Sequence, residues 1–282
     1  ISGAQWRGCM VGATPSASCE LARARTLLGP DPNRPSAGSR SAGIVIWAVV
    51  SAGDAGSVTA SPYARARCGF RGVPGRRPTA LVLPRFLAGD RTTMDLRRAL
   101  ARAGWRVHPW NLGINRGARH DTLDRLGRRL NEIYDGRPIL LVGWSLGGMF
   151  ARQLAHRHPN KIRAVVTLCS PFSGDYKTNT NIAELYERIA GHDVNEPPFP
   201  RMDGKPPVPT LAFWSRKDGI VAPSAARGRD GEIDHAVELD TYHVGAVLWR
   251  PALTRIVGEV ERFLTVIEGR SPFRKKRSDS RN

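Results

Sequence analysis

From residue 78 onward, apolar residues fall into two alternating textures: short unbroken runs, and longer stretches where they recur every three or four positions. Short runs bounded by Pro, Gly or charge suit strands buried on both faces of a parallel sheet, and the 3.6-residue recurrence suits helices laid over it. The runs predict strands at Thr79 to Leu83, Arg106 to Trp110, Pro138 to Val142, Ile162 to Leu168, Thr210 to Trp214 and Ala236 to Leu239. A first helix, capped by Thr92 or Thr93, runs to about Ala103 and is stopped by Gly104. A second, from about Asp121 to Asp135, puts Leu123, Leu126, Leu130 and Ile133 on one stripe. A third spans about Leu146 to Arg157, and a last, from about Pro251 to Ile267, turns Leu253, Ile256, Val260 and Leu264 inward. Strand alternating with helix predicts the α/β class, a mostly parallel sheet with helices on both faces.

Two regions break the alternation. Residues 170–207 are polar and Pro-rich around one short amphipathic helix at about Ile182 to Ile189, and read as a cap inserted into the domain. Residues 1–77, rich in Gly, Ala, Ser, Pro and Arg, show no sustained period and read as mostly irregular. Within them the run Ala42 to Ala52 is too short to span a bilayer and too far from Ile1 for an ordinary signal peptide, so no compartment is assigned. The expected organisation is an N-terminal basic segment at 1–77, one catalytic domain at 78–269 and a basic tail at 270–282.

The formal charge of +18 follows that division: about +7 lies in residues 1–78, about +5 in 270–282 and about +6 between. Basic residues concentrated in the tails argue against a nucleic-acid-binding core, which would gather them on an element that also carries base-reading groups. The tail Arg274, Lys275, Lys276 and Arg277 is a candidate for weak contact with an anionic membrane surface. Four cysteines do not make a disulfide framework. Cys9 and Cys19 are close enough in sequence to pair in an exported protein, and Cys169, after an apolar run, reads as a buried thiol. With no Cys/His cluster, no metal or organic cofactor is expected.

The chemistry concentrates at Gly143-Trp144-Ser145-Leu146-Gly147, which follows a strand and opens a helix. A GxSxG string alone is weak evidence, but in that setting it describes a strained turn that presents the serine hydroxyl above a helix N-terminus. The backbone N–H of Leu146 can then face a developing oxyanion. A serine needs a base, and the base an orienting carboxylate, on loops after later strands. Asp218 directly follows the strand ending at Trp214, and His243 follows the last strand. Asp203 and Asp240 are weaker rivals for the acid. His235 precedes its strand and would emerge at the opposite edge of the sheet.

With these residues in place, the stretch from about Pro78 to Leu264 resembles bacterial α/β-hydrolases of the esterase and lipase group. The resemblance is carried by Leu83 to Asp90, the elbow around Ser145, Ser170-Pro171-Phe172, Ser215 to Pro223 and His243-Val244-Gly245. The elbow Gly143 to Gly148 is also similar to that of carboxyl-methyl-ester esterases of biotin synthesis. The resemblance implies the α/β-hydrolase fold and a second oxyanion donor just after the first strand, here the N–H of Phe86. The glycine usual before that donor is Arg85 in this chain. Arg85, Trp110, Asn115 and Trp144 are candidate substrate-binding residues, with Asn111 and Arg116 on the same loop edge.

The function expected is hydrolysis of carboxylic esters, of small molecules or lipids, through an acyl-enzyme on Ser145. Thioesters, lactones and polyesters need the same residues. A departure at Arg85 leaves a hydrolase-shaped binding protein as the alternative of another class.

Overall fold

The computed structural model describes residues 78–270. The irregular segment 1–77, the Ala42 to Ala52 run, the Cys9–Cys19 pairing and the basic tail from 271 on lie outside the described residues.

Six strands form one sheet: β1 (Thr79–Leu83), β2 (Arg106–Pro109), β3 (Ile139–Trp144), β4 (Ile162–Leu168), β5 (Thr210–Trp214) and β6 (His235–Glu238). Their order is β2-β1-β3-β4-β5-β6, and every neighbouring pair is parallel. The helices are α1 (Met94–Arg102), α2 (Thr122–Ile133), α3 (Leu146–Arg157), α4 (Ala183–Ala190), α5 (Pro223–Arg227), α6 (Gly245–Leu248) and α7 (Arg250–Arg270).

Every residue of β1 and β3 is buried, which is why these central strands read as unbroken apolar runs. Alternate side chains feed two cores. Ala80, Val82, Leu140 and Val142 pack with Leu96 and Leu100 of α1 and Ile256, Val260 and Leu264 of α7. Leu81, Leu83, Ile139 and Leu141 pack on the other face with Leu123, Leu126 and Leu130 of α2 and Phe150 and Leu154 of α3. The period of two in the strands therefore meets a helical stripe on each side.

Several details correct the sequence reading. Thr93 precedes α1, but its hydroxyl donates to the Asp90 carbonyl at 3.1 Å instead of capping a helix N–H, because a 3₁₀ turn at Asp90–Thr93 already leads the chain into the helix. β3 extends to Trp144, and β6 begins at His235. The five- and four-residue helices α5 and α6 were not expected, being too short to display a period.

The segment 170–207 carries α4, which ends at Gly191 in the left-handed conformation. Several hydrogen bonds hold it to the rest of the domain. Tyr186 Oη accepts the Ala118 N–H at 3.0 Å. Arg152 Nη2 donates to the carbonyls of Gly204 and Glu232 at 2.8 and 3.1 Å, with its guanidinium over the Phe172 ring. Among the described residues no helix is long and apolar enough to cross a membrane.

Candidate active site

In a parallel sheet all strand C-termini meet at one edge, so the loops after β1, β2, β3 and β4 are neighbours there. The four non-glycine residues with positive φ all lie on those loops: Leu87, Asn111, Ser145 and Cys169, at 56°, 59°, 53° and 50°. Backbone strain in the described structure is thus gathered where the sequence placed the chemistry.

Ser145 sits between β3 and α3 at φ 53° and ψ −120°, the sharp turn expected of the elbow. Its N–H is held by the Leu168 carbonyl at 2.8 Å. The flanking glycines are required by contact. A Cβ on Gly143 would lie 2.3 Å from the Gly147 carbonyl oxygen, and one on Gly147 would lie 2.4 Å from the Leu83 carbonyl oxygen. Leu146 is the first residue of α3, where a backbone N–H has no acceptor within its own helix.

His243 and Asp218 are brought together: Nδ1–H of His243 donates to Asp218 Oδ2 at 2.8 Å, with only 2% and 1% of the two side chains exposed. Asp218 Oδ1 accepts the N–H groups of Ile220 and Val221 at 2.9 and 3.0 Å. Burial works to raise the Asp218 carboxyl, but His243 and those two N–H groups outweigh it and hold the group below the ordinary carboxylate range. With Nδ1 committed, Nε2 is the nitrogen free to take a proton. Trp144, adjacent to Ser145, donates its indole N–H to the His243 carbonyl at 3.2 Å, which fixes the histidine loop beside the elbow. Ser145 Oγ makes no hydrogen bond to His243 among the described residues, a contact that in free enzymes often tightens only when substrate is bound.

The rivals are placed elsewhere. Asp203 and Asp240 are largely exposed and paired with Arg201 and Lys217. His235 is the first residue of β6, at the sheet's other edge. A cavity of about 730 Å³ is lined by Asp175, Arg227, Arg229, Asp234 and His235. None of the candidate catalytic side chains lines it.

Sequence reasoning did not foresee the neighbourhood of Cys169. Its sulfur, a carboxylate oxygen of Asp218 and a ring nitrogen of His243 lie within 4.8 Å of one another. These are three potential metal-ligand types, but His243 Nδ1 and Asp218 Oδ2 are already hydrogen-bonded to each other. Burial, reinforced by Asp218, pushes the thiol pKa up, so Cys169 is a neutral neighbour of the acid.

The loop after β1 leaves one backbone donor free. The Phe86 N–H has no hydrogen-bond partner among the described residues, whereas Leu87 N–H is held by the Asn115 carbonyl at 2.7 Å. The Phe86 ring packs 5.1 Å from that of Tyr186 in the cap.

Three of the residues expected to touch substrate have their polar groups engaged within the protein. Asn115 is buried; Nδ2 donates to the Pro84 carbonyl at 2.9 Å and Oδ1 accepts the Gly117 N–H at 3.3 Å. The Trp110 indole N–H donates to the Gly113 carbonyl at 2.9 Å, and its ring borders a cleft of about 280 Å³ with Leu112, Ile114, Arg116 and Phe150. Trp144 is buried against the histidine loop. Arg85 is the fourth: Nη1 donates to the Phe86 carbonyl at 3.2 Å, and the guanidinium lies 5.0 Å above the Trp144 ring.

Comparison with known proteins agrees with this architecture. A family model described as alpha/beta hydrolase fold matches residues 96–195. The chain is 45% identical over 58 residues to a biotin biosynthesis bifunctional protein of Teredinibacter turnerae, a match covering 21% of this chain and only a tenth of that protein's length. A crystal structure of the pyrethroid hydrolase PytH superposes with a TM-score of 0.51 at 17% identity, covering 68% of this chain and 99% of that one. A structure from work on LipS and LipT, two metagenome-derived lipolytic enzymes, gives 0.50 at 14% identity, covering 67% of this chain and 94% of that one. The parallel sheet, the elbow after β3 and these matches agree that the chain has the α/β-hydrolase fold.

Proposed function

We propose that the protein hydrolyses carboxylic esters, with Ser145 as nucleophile, His243 as base and Asp218 as the carboxylate that orients it. The observation that carries this reading is the buried His243–Asp218 hydrogen bond beside a serine at a left-handed strand-to-helix turn. Ser145 Oγ attacks the ester carbonyl as His243 Nε2 takes its proton, and the carbonyl oxygen becomes an oxyanion facing the N–H groups of Leu146 and Phe86. The tetrahedral species collapses as His243 returns the proton to the leaving alcohol. His243 then removes a proton from water, which attacks the acyl-serine; as this second tetrahedral species collapses, His243 returns the proton to Ser145 Oγ and the acid is released. Asp218 stays ionised and stabilises the imidazolium in both steps.

The similarity to proteins named as lipolytic enzymes and as a pyrethroid hydrolase supports hydrolysis. The test is labelling with a fluorophosphonate probe together with p-nitrophenyl acetate and butyrate turnover. Modification at Ser145, with turnover lost in Ser145→Ala, is expected. An active, folded sample labelled elsewhere would overturn the assignment. A folded sample with neither label nor turnover would favour a hydrolase-shaped binding protein, for which Arg85 in place of glycine is the motivating feature.

A further inference from the structure

Arg85 is a largely buried cation with no anionic partner. Among the described residues no carboxylate lies within 4.0 Å of its guanidinium, whereas Arg106, Arg129, Arg137, Arg157 and Arg201 each have one. Its donors are underused: Nη1 reaches only the neighbouring Phe86 carbonyl, and Nε is buried with no hydrogen-bond partner. A guanidinium has five N–H donors in a planar fork, and leaving such donors buried and unmatched is costly. The face of Trp144 compensates part of the charge but accepts none of those hydrogen bonds. Burial shifts the Arg85 pKa downward, yet from so high a starting value that the side chain stays charged in neutral solution.

The surroundings give this cation a purpose. Arg85 is bounded by Phe86, whose N–H is unengaged, and by Trp144, which immediately precedes Ser145. Glycine would serve the oxyanion loop with less bulk. The side chain therefore adds a positive charge, backed by an aromatic face, between the loop after β1 and the residue that precedes Ser145.

We infer that Arg85 is a specificity-determining residue that pairs with a carboxylate on the substrate, so that the preferred substrates are esters carrying a second, free acid group. The inference rests on the ester-hydrolase reading above. A carboxylate can accept two parallel N–H bonds from the fork, which restores the missing partner and orients the ester by its remote end.

The experiment compares three p-nitrophenyl-type esters on the full chain. One is the neutral butyrate, one a half-ester of glutarate with the acid on the acyl side, and one the butyryl ester of 4-hydroxybenzoate with the acid on the alcohol side. The readout is the ratio of kcat/KM for each acidic ester to that for the neutral ester, which cancels any general damage to the loop. We expect the wild type to favour one acidic ester over the neutral one, and Arg85→Gln to lower that ratio by roughly 10- to 100-fold, mainly through KM, the range for a charge-assisted pair. Arg85→Lys, which keeps the charge but loses the fork, should recover only part of it. Turnover of the neutral ester with no preference for either acidic ester, or a ratio unchanged in Arg85→Gln, overturns the inference while leaving the hydrolase reading intact. No turnover of any ester by a folded sample overturns the hydrolase reading itself.

Discussion

Replacing Asn115 by alanine separates a residue that braces the oxyanion loop from one that touches substrate. The side-chain amide joins the Pro84 carbonyl to the Gly117 N–H at 2.9 and 3.3 Å, in a position only 1% exposed, where water has little access. Truncation strands one buried acceptor and one buried donor. Each costs about 1–3 kcal/mol when left unmatched, and the 3.3 Å contact falls at the weak end, so a loss of about 2–4 kcal/mol is expected. At roughly 2–4 °C per kcal/mol for a domain of this size, Tm should fall by roughly 4–16 °C. Pro84 lies two residues before Phe86, so the same change lets the proposed oxyanion donor drift. Losing one such donor outright costs about 100- to 1000-fold in kcat. A loosened donor should cost less, about 10- to 50-fold, with KM nearly unchanged because the interaction forms in the transition state. Calorimetry and p-nitrophenyl butyrate kinetics on the same preparation test both parts. A KM raised tenfold at unchanged Tm would mean that the amide faces substrate, and the bracing account would be wrong.

Other expectations follow from the same geometry. His243→Ala and Asp218→Asn should each lower ester turnover by several orders of magnitude while leaving the fold intact; a near-normal Asp218→Asn would point to another carboxylate. Because the Asp218 carboxyl is depressed in the folded state, its contribution to stability is full above the ordinary carboxylate pKa of about 4 and is lost as pH falls through the lower folded value. Urea titrations between pH 7 and pH 3 should therefore show a shallower acid-side loss in Asp218→Asn than in wild type, and parallel curves would refute this. Gly147→Ala drives a Cβ against the Leu83 and Pro84 carbonyls, and should abolish fluorophosphonate labelling or folding; normal labelling would contradict the contact. Arg152→Ala strands the carbonyls of Gly204 and Glu232 and should cost about 2–4 kcal/mol, read as a lower urea midpoint, with a neutral result showing that these two loops are held by other contacts.

The sheet and the site frame were readable in the sequence for different reasons. β1, β3 and β5 are covered on both faces, so burial wrote itself as nearly continuous apolar runs, β4 is interrupted only near its start by Arg163, and α2 carried a single clean stripe. The order of Ser145, Asp218 and His243 could be read because each follows a strand whose direction the alternation fixes. What escaped were contacts between loops. The brace at Asn115 left one local trace, the Asn-x-Gly spacing of a side chain that bonds its own backbone two residues on, and that trace also fits an ordinary turn. The proximity of Cys169 to Asp218 has no local signal, since it depends on β4 and β5 lying side by side at one register. α5 and α6 are single turns, shorter than the window in which a period can be detected.

The four left-handed residues at the C-terminal edge also set where this protein can change. A conformation of that kind costs a non-glycine residue roughly 1–2 kcal/mol, less for asparagine. Together they draw off several kcal/mol from a domain whose net stability is expected to be about 5–15 kcal/mol. The loops at that edge are the ones that would have to vary for a new substrate to be accepted, and they stand nearest the threshold at which further loss unfolds the chain. Adaptation of this scaffold should therefore begin at the far edge and on the outer helix faces, where gains in stability disturb none of the candidate site residues and widen the range of loop variants that still fold.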